Sequence, residues 1–243
     1  MSSSTPNSTP SADLDQFRNW QSHWLRSTCQ PQGYPVEQIL YGTDVKLYFD
    51  PQDPWVYKQP DWFMVLEASP ALGATPRKSY VVWQETQSPF LVVEFLSPET
   101  QAEVLGKTMP GLENTPTKWD VYEGILRVPY YIVFDPTANQ LHGFQLGGAD
   151  YENLASTPQG LWIPELELGL GLWHGSDNGL QRAWLRWYDA QGQWIQPRTL
   201  QESSQPNPEL NSESLPQTPT EQPWSDIDLA ESLKKLGLKT TQT

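Results

Sequence analysis

Two apolar runs on either side of one helical segment constrain this chain more than any other feature of its sequence. Pro89-Phe90-Leu91-Val92-Val93-Glu94-Phe95-Leu96 and Pro129-Tyr130-Tyr131-Ile132-Val133-Phe134-Asp135 hold almost nothing polar. Short runs of this kind, rich in β-branched and aromatic residues, read as buried strands. Between them, Thr117 to Leu126 reads as a helix, with Thr117 as cap and Asp120 answering it in the manner of a capping box. Trp119, Val121, Tyr122 and Ile125 supply its apolar side. Strand, helix, strand in this order predicts a βαβ unit with a right-handed crossover.

Glu94 breaks the first of these runs. A carboxylate left alone in such a setting costs several kcal/mol, of the order of ~3–5, or neutralises itself, so a chain that keeps one there supplies a partner. A second carboxylate, Asp61, opens the strand-like stretch Asp61-Trp62-Phe63-Met64-Val65-Leu66, expected to run to Glu67.

The rest of the chain punctuates itself. Residues 1–12 are rich in Ser, Thr and Pro and are expected to be disordered. Asp13 to Arg26 has Leu14, Phe17, Trp20, Trp24 and Leu25 at helical spacing, and Pro31 and Gly33 close it. Val36 to Pro60 is loop-like, with a short strand at Leu47-Tyr48-Phe49; Tyr80 to Trp83 reads as either a helix or an edge strand. Gly147-Gly148-Ala149-Asp150 and Asp189-Ala190-Gln191-Gly192 are hairpin turns, the second joining Trp184–Tyr188 to Gln193–Ile195; Leu161–Pro164 and Leu166–Leu172 are further strands. Residues 201–224 have the composition of a flexible linker. Residues 225–238 form a short amphipathic helix, capped by Ser225, begun by aspartates, ended by lysines and stopped by Gly237. The domain proper therefore spans 13–200.

Composition narrows the function classes. No apolar run approaches a membrane span and no secretory leader is legible. Cys29 is the only cysteine, which rules out an intrachain disulfide and agrees with a cytoplasmic location. His23, His142 and His174 are scattered, with no zinc spacing. Net charge is −14, and residues 21–200 hold 11 Lys and Arg against 20 Asp and Glu, a balance of −9. Nucleic-acid enzymes carry a basic patch; Arg77, Lys78, Lys107 and Lys118 are the candidates for a local one.

Magnesium takes oxygen ligands and is held by one or two carboxylates plus substrate phosphate. Asp61 and Glu94 on neighbouring strands supply such a pair. Lys118, near the start of the crossover helix, supplies a cation to orient water or steady developing negative charge. Lys118 and Tyr122 are i and i+4 and share a face. Each residue also has a plainer reading. Pro60-Asp61 is a common turn pair; Glu94 could be satisfied by an internal ion pair with Arg127; Lys118 could be a solvated surface lysine, with Lys107 as its competitor; Tyr122 suits core packing.

Four blocks together resemble one family. They are Pro60-Asp61; Val92-Val93-Glu94-Phe95-Leu96-Ser97-Pro98; Lys118-Trp119-Asp120-Val121-Tyr122; and Val128-Pro129-Tyr130-Tyr131-Ile132-Val133-Phe134-Asp135-Pro136. Over about residues 30–200 the chain resembles the Uma2 (DUF820) family, abundant in cyanobacteria and described as putative restriction endonucleases. The aromatic-rich hairpins, Trp184 to Gln193 included, fit the cyanobacterial type. The resemblance implies an α/β restriction-endonuclease-like fold of the PD-(D/E)xK kind, a mixed β-sheet flanked by helices with C-terminal antiparallel hairpins. It also implies a Mg²⁺- or Mn²⁺-dependent endonuclease acting on DNA. Asp61 and Glu94 match the metal-binding carboxylates, and Lys118 matches the catalytic lysine. A homodimer would follow from the need for two sites to cut both strands. Two departures stand out. The position two residues after Glu94, where the broader pattern has lysine, is Leu96, so the lysine must have migrated to the helix. Where the family offers an acid shortly before the lysine stands Asn114, with Glu113 as a substitute. These departures keep a rival reading open, that of a non-catalytic interaction module on a nuclease fold. A third is a nuclease for structured or protein-bound nucleic acid.

Overall fold

The computed structural model describes residues 10–69, 77–107, 115–177 and 179–197, all within one unit, Met1–Thr199. The expected disordered segment (beyond the start of the first helix), linker and C-terminal helix, together with Glu113 and Asn114, lie outside the described residues. Helix α1 (Pro10–Thr28) starts earlier than the expected Asp13. The stretch expected to be loop-like contains three short strands, β1 (Leu40–Thr43), β2 (Lys46–Tyr48) and β3 (Tyr57–Lys58). Strand β4 (Trp62–Val65) follows Asp61, and β5 (Ser79–Val81) runs straight into helix α2 (Val82–Glu85), so both readings of that segment hold in turn.

Strand β6 (Leu91–Phe95), short helix α3 (Gln101–Val104) and the crossover helix come next. The crossover is one α-helical turn, α4 (Lys118–Asp120), continued as a π-helix over Val121–Ile125. Its capping box forms as expected: the Thr117 hydroxyl accepts from the Asp120 amide at 3.1 Å, and the Asp120 carboxylate accepts from the Thr117 amide at 2.8 Å. Strands β7 (Tyr130–Asp135), β8 (Gln140–Gly147), β9 (Asp150–Asn153), β10 (Gly160–Ile163), β11 (Leu168–Asp177) and β12 (Leu180–Tyr188) follow among the described residues. Beyond Asp189 the second expected hairpin reduces to a single bridge, Tyr188 with Trp194.

The main sheet has six strands in the order β1-β4-β6-β7-β8-β9. It is mixed: β6 and β7 are parallel, as the βαβ reading requires, and the other pairs are antiparallel. Strands β10-β11-β12 form a C-terminal antiparallel sheet, and β3-β2-β5 a small third one. The expected class, a mixed α/β sheet with C-terminal hairpins, is the observed one. No helix among the described residues is long and apolar enough to cross a membrane.

Strand alternation sorts the core into two faces. Leu91, Val93 and Phe95 of β6 join Tyr130, Ile132 and Phe134 of β7 against Phe17 and Leu25 of α1 and Trp184 and Trp187 of β12. Val92 of β6 joins Phe63, Val65, Tyr131 and Val133 on the other face, against Val121, Tyr122 and Leu126 of the crossover. Glu94 has the parity of Val92. Its side chain therefore points at the crossover helix.

Candidate active site

Register brings the two carboxylates together. Trp62 pairs with Val93 in the antiparallel β4–β6 ladder. Continued one step past the end of that ladder, the register aligns Asp61 with Glu94, whose carboxyl feels the Asp61 charge. Residues directly opposite have Cβ atoms about 4.5–5.5 Å apart. Asp61 lies just outside β4, and its Oδ2 accepts the Phe95 amide at 2.7 Å, tying the start of one strand to the end of the other. Its Oδ1 is 3.3 Å from Arg18 Nε of α1, a partner that the sequence did not suggest.

Glu94 is 1% exposed and both of its oxygens are engaged. Lys118 Nζ donates to Oε2 at 2.8 Å, and the Tyr122 hydroxyl donates to Oε1 at 2.8 Å. Lys118 Nζ also donates to the Gln59 carbonyl at 2.8 Å, just ahead of Pro60-Asp61. The shared helix face expected of Lys118 and Tyr122 is thus the face turned to Glu94. The ion pair contemplated between Glu94 and Arg127 does not form. Arg127 instead donates to the Gly148 and Ala149 carbonyls in the β8–β9 turn, and the cation at Glu94 is Lys118. Lys118 is buried, so the solvated-surface reading falls as well; Lys107 is exposed. Tyr122 does pack in the core and in addition reaches the acid.

The electrostatics follow from burial. Loss of solvent pushes the Glu94 carboxyl up to about 8; Lys118 pulls against this, Asp61 adds to it, and the Tyr122 hydrogen bond opposes it. Burial also works against the charge on Lys118, but Glu94, Asp61 and Glu103 outweigh it and hold the ammonium above its ordinary range. The two tendencies conflict: the lysine gains from an ionised Glu94, whereas burial favours a protonated one. The upward shift of Glu94 prevails, because a carboxylate sealed from water has lost its largest stabilisation. The Tyr122 hydroxyl suits either state, since it can donate to the carboxylate or accept from the acid. Burial likewise drives the Tyr122 hydroxyl well above its usual range, so it stays protonated.

No group of three His, Cys, Asp or Glu side chains able to cage a cation converges among the described residues. Two opposed carboxylates, each oxygen keeping a second lone pair after the contacts above, fit a hard ion that retains waters. The basic candidates are dispersed: Arg77 pairs with Glu85 at 2.5 Å, Lys78 is exposed, and Lys118 is buried beside Glu94.

Two acids and a lysine thus meet beside adjacent central strands of a mixed sheet. The chain belongs to the Uma2 family, whose model, described as "Putative restriction endonuclease", matches residues 12–182. No curated protein matches the chain. The matched stretch contains Asp61, Glu94 and Lys118, and it also takes in α1, which carries Arg18.

Proposed function

We propose that the chain is a Mg²⁺- or Mn²⁺-dependent endonuclease that hydrolyses phosphodiester bonds in DNA. The observation that supports this most is that Asp61, bound to the Phe95 amide at 2.7 Å, acts electrostatically on Glu94, with Lys118 Nζ 2.8 Å from Glu94. Asp61 and Glu94 would hold the ion. When bound, the ion polarises the phosphate and lowers the pKa of a water at the site. Lys118, fixed between Glu94 and the Gln59 carbonyl, has a third N–H left to orient the attacking water and to steady charge on a phosphate oxygen. Tyr122 keeps the Glu94 side chain in one rotamer, and the Phe95 amide does the same for Asp61. Fixed positions matter because two such groups act together only when geometry is set in advance.

The test is a nicking assay on supercoiled DNA with the full chain in Mg²⁺ and in Mn²⁺, run beside Glu94→Gln and Asp61→Asn. Cleavage by the wild type that both substitutions abolish is the expected result; equal nicking by all three would sink the proposal.

A second reading has its own support. Every oxygen of Asp61 and Glu94 already has a protein partner, and Leu96 fills the position at which the broader nuclease pattern places lysine. A closed site of that kind suits a non-catalytic interaction module. Calorimetric titration with Mg²⁺ separates the two, since a module of this type shows no heat that depends on Asp61 and Glu94.

A further inference from the structure

Arg18 approaches the site from a different direction from Lys118, and it is held quite differently. It follows the buried Phe17, which seats α1 on the sheet. Its Nε lies 3.3 Å from Asp61 Oδ1 but makes no aligned hydrogen bond, although that nitrogen is shut off from solvent. Guanidinium on carboxylate ordinarily forms two parallel bonds. Here Asp61 Oδ2 accepts from the Phe95 amide, and the fork approaches Oδ1 alone. The ion pair is loose. The Arg18 side chain is also 29% exposed, against 10% for Lys118 and 1% for Glu94, so it stands at the outer edge of the site. It is close enough to Glu99, which is fully exposed, to lower that carboxyl's pKa, after larger contributions from Glu99's own backbone and Ser97.

Building on the phosphodiesterase reading above, we propose that Arg18 is a substrate-binding residue, parked on Asp61 in the free protein and transferred to a non-bridging oxygen of the scissile phosphate when DNA binds. A guanidinium fork matches a phosphate as well as a carboxylate. In a chain of net charge −14, a cation at the mouth of the site is what admits a polyanion. The transfer has a second effect. It frees Asp61 Oδ1, so arrival of the phosphate and completion of the cation seat become one event. An arginine that served only to pin α1 to the sheet would be expected to make the aligned bonds that Arg18 lacks.

The test uses the full chain and a fluorescein-labelled DNA duplex in EDTA, with anisotropy titrations across about 50–200 mM salt, the range over which phosphate contacts are resolved. Wild type, Arg18→Gln and Arg18→Lys are compared, and each is unfolded in urea. Arg18→Gln should weaken binding and make the slope of log affinity against log salt shallower by about one unit, with the unfolding midpoint little changed. Arg18→Lys should restore the slope but not the full affinity. In Mg²⁺, cleavage by Arg18→Gln should show KM raised more than kcat is lowered. An unchanged slope, or a fallen midpoint with an unchanged slope, overturns the role of Arg18 and leaves the nuclease reading standing wherever the wild type cuts and Glu94→Gln does not. Failure of the wild type to bind the duplex at the lowest salt overturns both.

Discussion

Lys118 Nζ lies 2.8 Å from Glu94 Oε2, in a place where the glutamate has lost nearly all contact with solvent. A pair this deep gains little for the fold as a whole, because desolvating both charges offsets their attraction. Its value lies in what happens when it is broken. Above about pH 8, where Glu94 ionises, Lys118→Met should destabilise the protein by about 3–5 kcal/mol, since it removes the cation that offsets a buried carboxylate. Glu94→Gln/Lys118→Met together should recover much of that loss, as the stranded charge is gone. Urea unfolding of the two single variants and the double variant measures the coupling; strictly additive losses would show that the pair does not act as a unit.

The raised Glu94 carboxyl makes a directional statement about pH. A group whose folded pKa lies above its unfolded value gives its full contribution below the unfolded pKa and loses it as pH rises. For Glu94 the window runs from the ordinary 4.5 to about 8. Stability should therefore fall as pH climbs through that window and level off above it. Lys118, also raised, loses its contribution only above its ordinary 10.5. Unfolding midpoints between pH 5 and 9 for wild type and Glu94→Gln check this, since the difference between the two curves should carry the decline. A difference between the two curves that stays flat across this range would mean Glu94 is ionised throughout.

Much of this was legible in the sequence, and the missed parts share a physical cause. The apolar runs of β6 and β7 and the capping box at Thr117 are local signals, and each marks its element. The spacing of Lys118 and Tyr122 gave the face turned to Glu94. Strand β1 was missed because its Leu-Tyr-Gly-Thr has no run of apolar residues; Gly42 is needed where the Phe63 ring of β4 lies across it, 2.1 Å from where a Cβ would sit. Arg18 was missed because its partner is distant in sequence: α1 shows its packing residues, Phe17 and Leu25, but not the strand end at which it stops. Residue type alone makes Arg127 a candidate partner in the plainer reading of Glu94. Its backbone turns through φ 54°, and its side chain leaves toward the β8–β9 turn.

Tyr122→Phe removes one hydroxyl from the core and leaves Glu94 Oε1 without its donor. Loss of this hydrogen bond should cost about 1 kcal/mol while Glu94 is protonated and about 1.5–3 kcal/mol above about pH 8, where it is charged. It should also raise the Glu94 carboxyl further, because the lost bond pulled it down. Under the proposed mechanism the pH at which activity begins should then move upward. A pH–rate profile of Tyr122→Phe beside the wild type reads this directly, and a profile that keeps its position would assign Tyr122 to packing alone.

Thr117→Ala probes the cap that holds Lys118. Thr117 and Asp120 satisfy each other's backbone at the first turn of the crossover, and the π-helix after it offers the site no regular α-helical continuation. Losing the cap should cost about 1 kcal/mol. The more informative effect is local, since Lys118 is the first residue of that turn. Amide hydrogen exchange over residues 118–122 should speed up by more than exchange in β6 or β7. Uniform acceleration across the sheet would instead show that the crossover opens only with the whole domain.

The proposed cation seat makes the last prediction. Magnesium bound by Asp61 and Glu94 must share oxygens that now serve Arg18, Phe95, Lys118 and Tyr122, so binding should be weak in the absence of substrate. Because Glu94 holds a proton up to about pH 8, binding should release that proton and tighten as pH rises. Asp61→Asn should abolish the heat of Mg²⁺ binding, and Arg18→Gln should strengthen it by freeing Asp61 Oδ1. Calorimetry at pH 6.5 and 8.5, in two buffers of different ionisation enthalpy, reads affinity and proton release together. Binding that survives Asp61→Asn would place the ion elsewhere, and binding that weakens in Arg18→Gln would show that the arginine organises the seat and does not guard it.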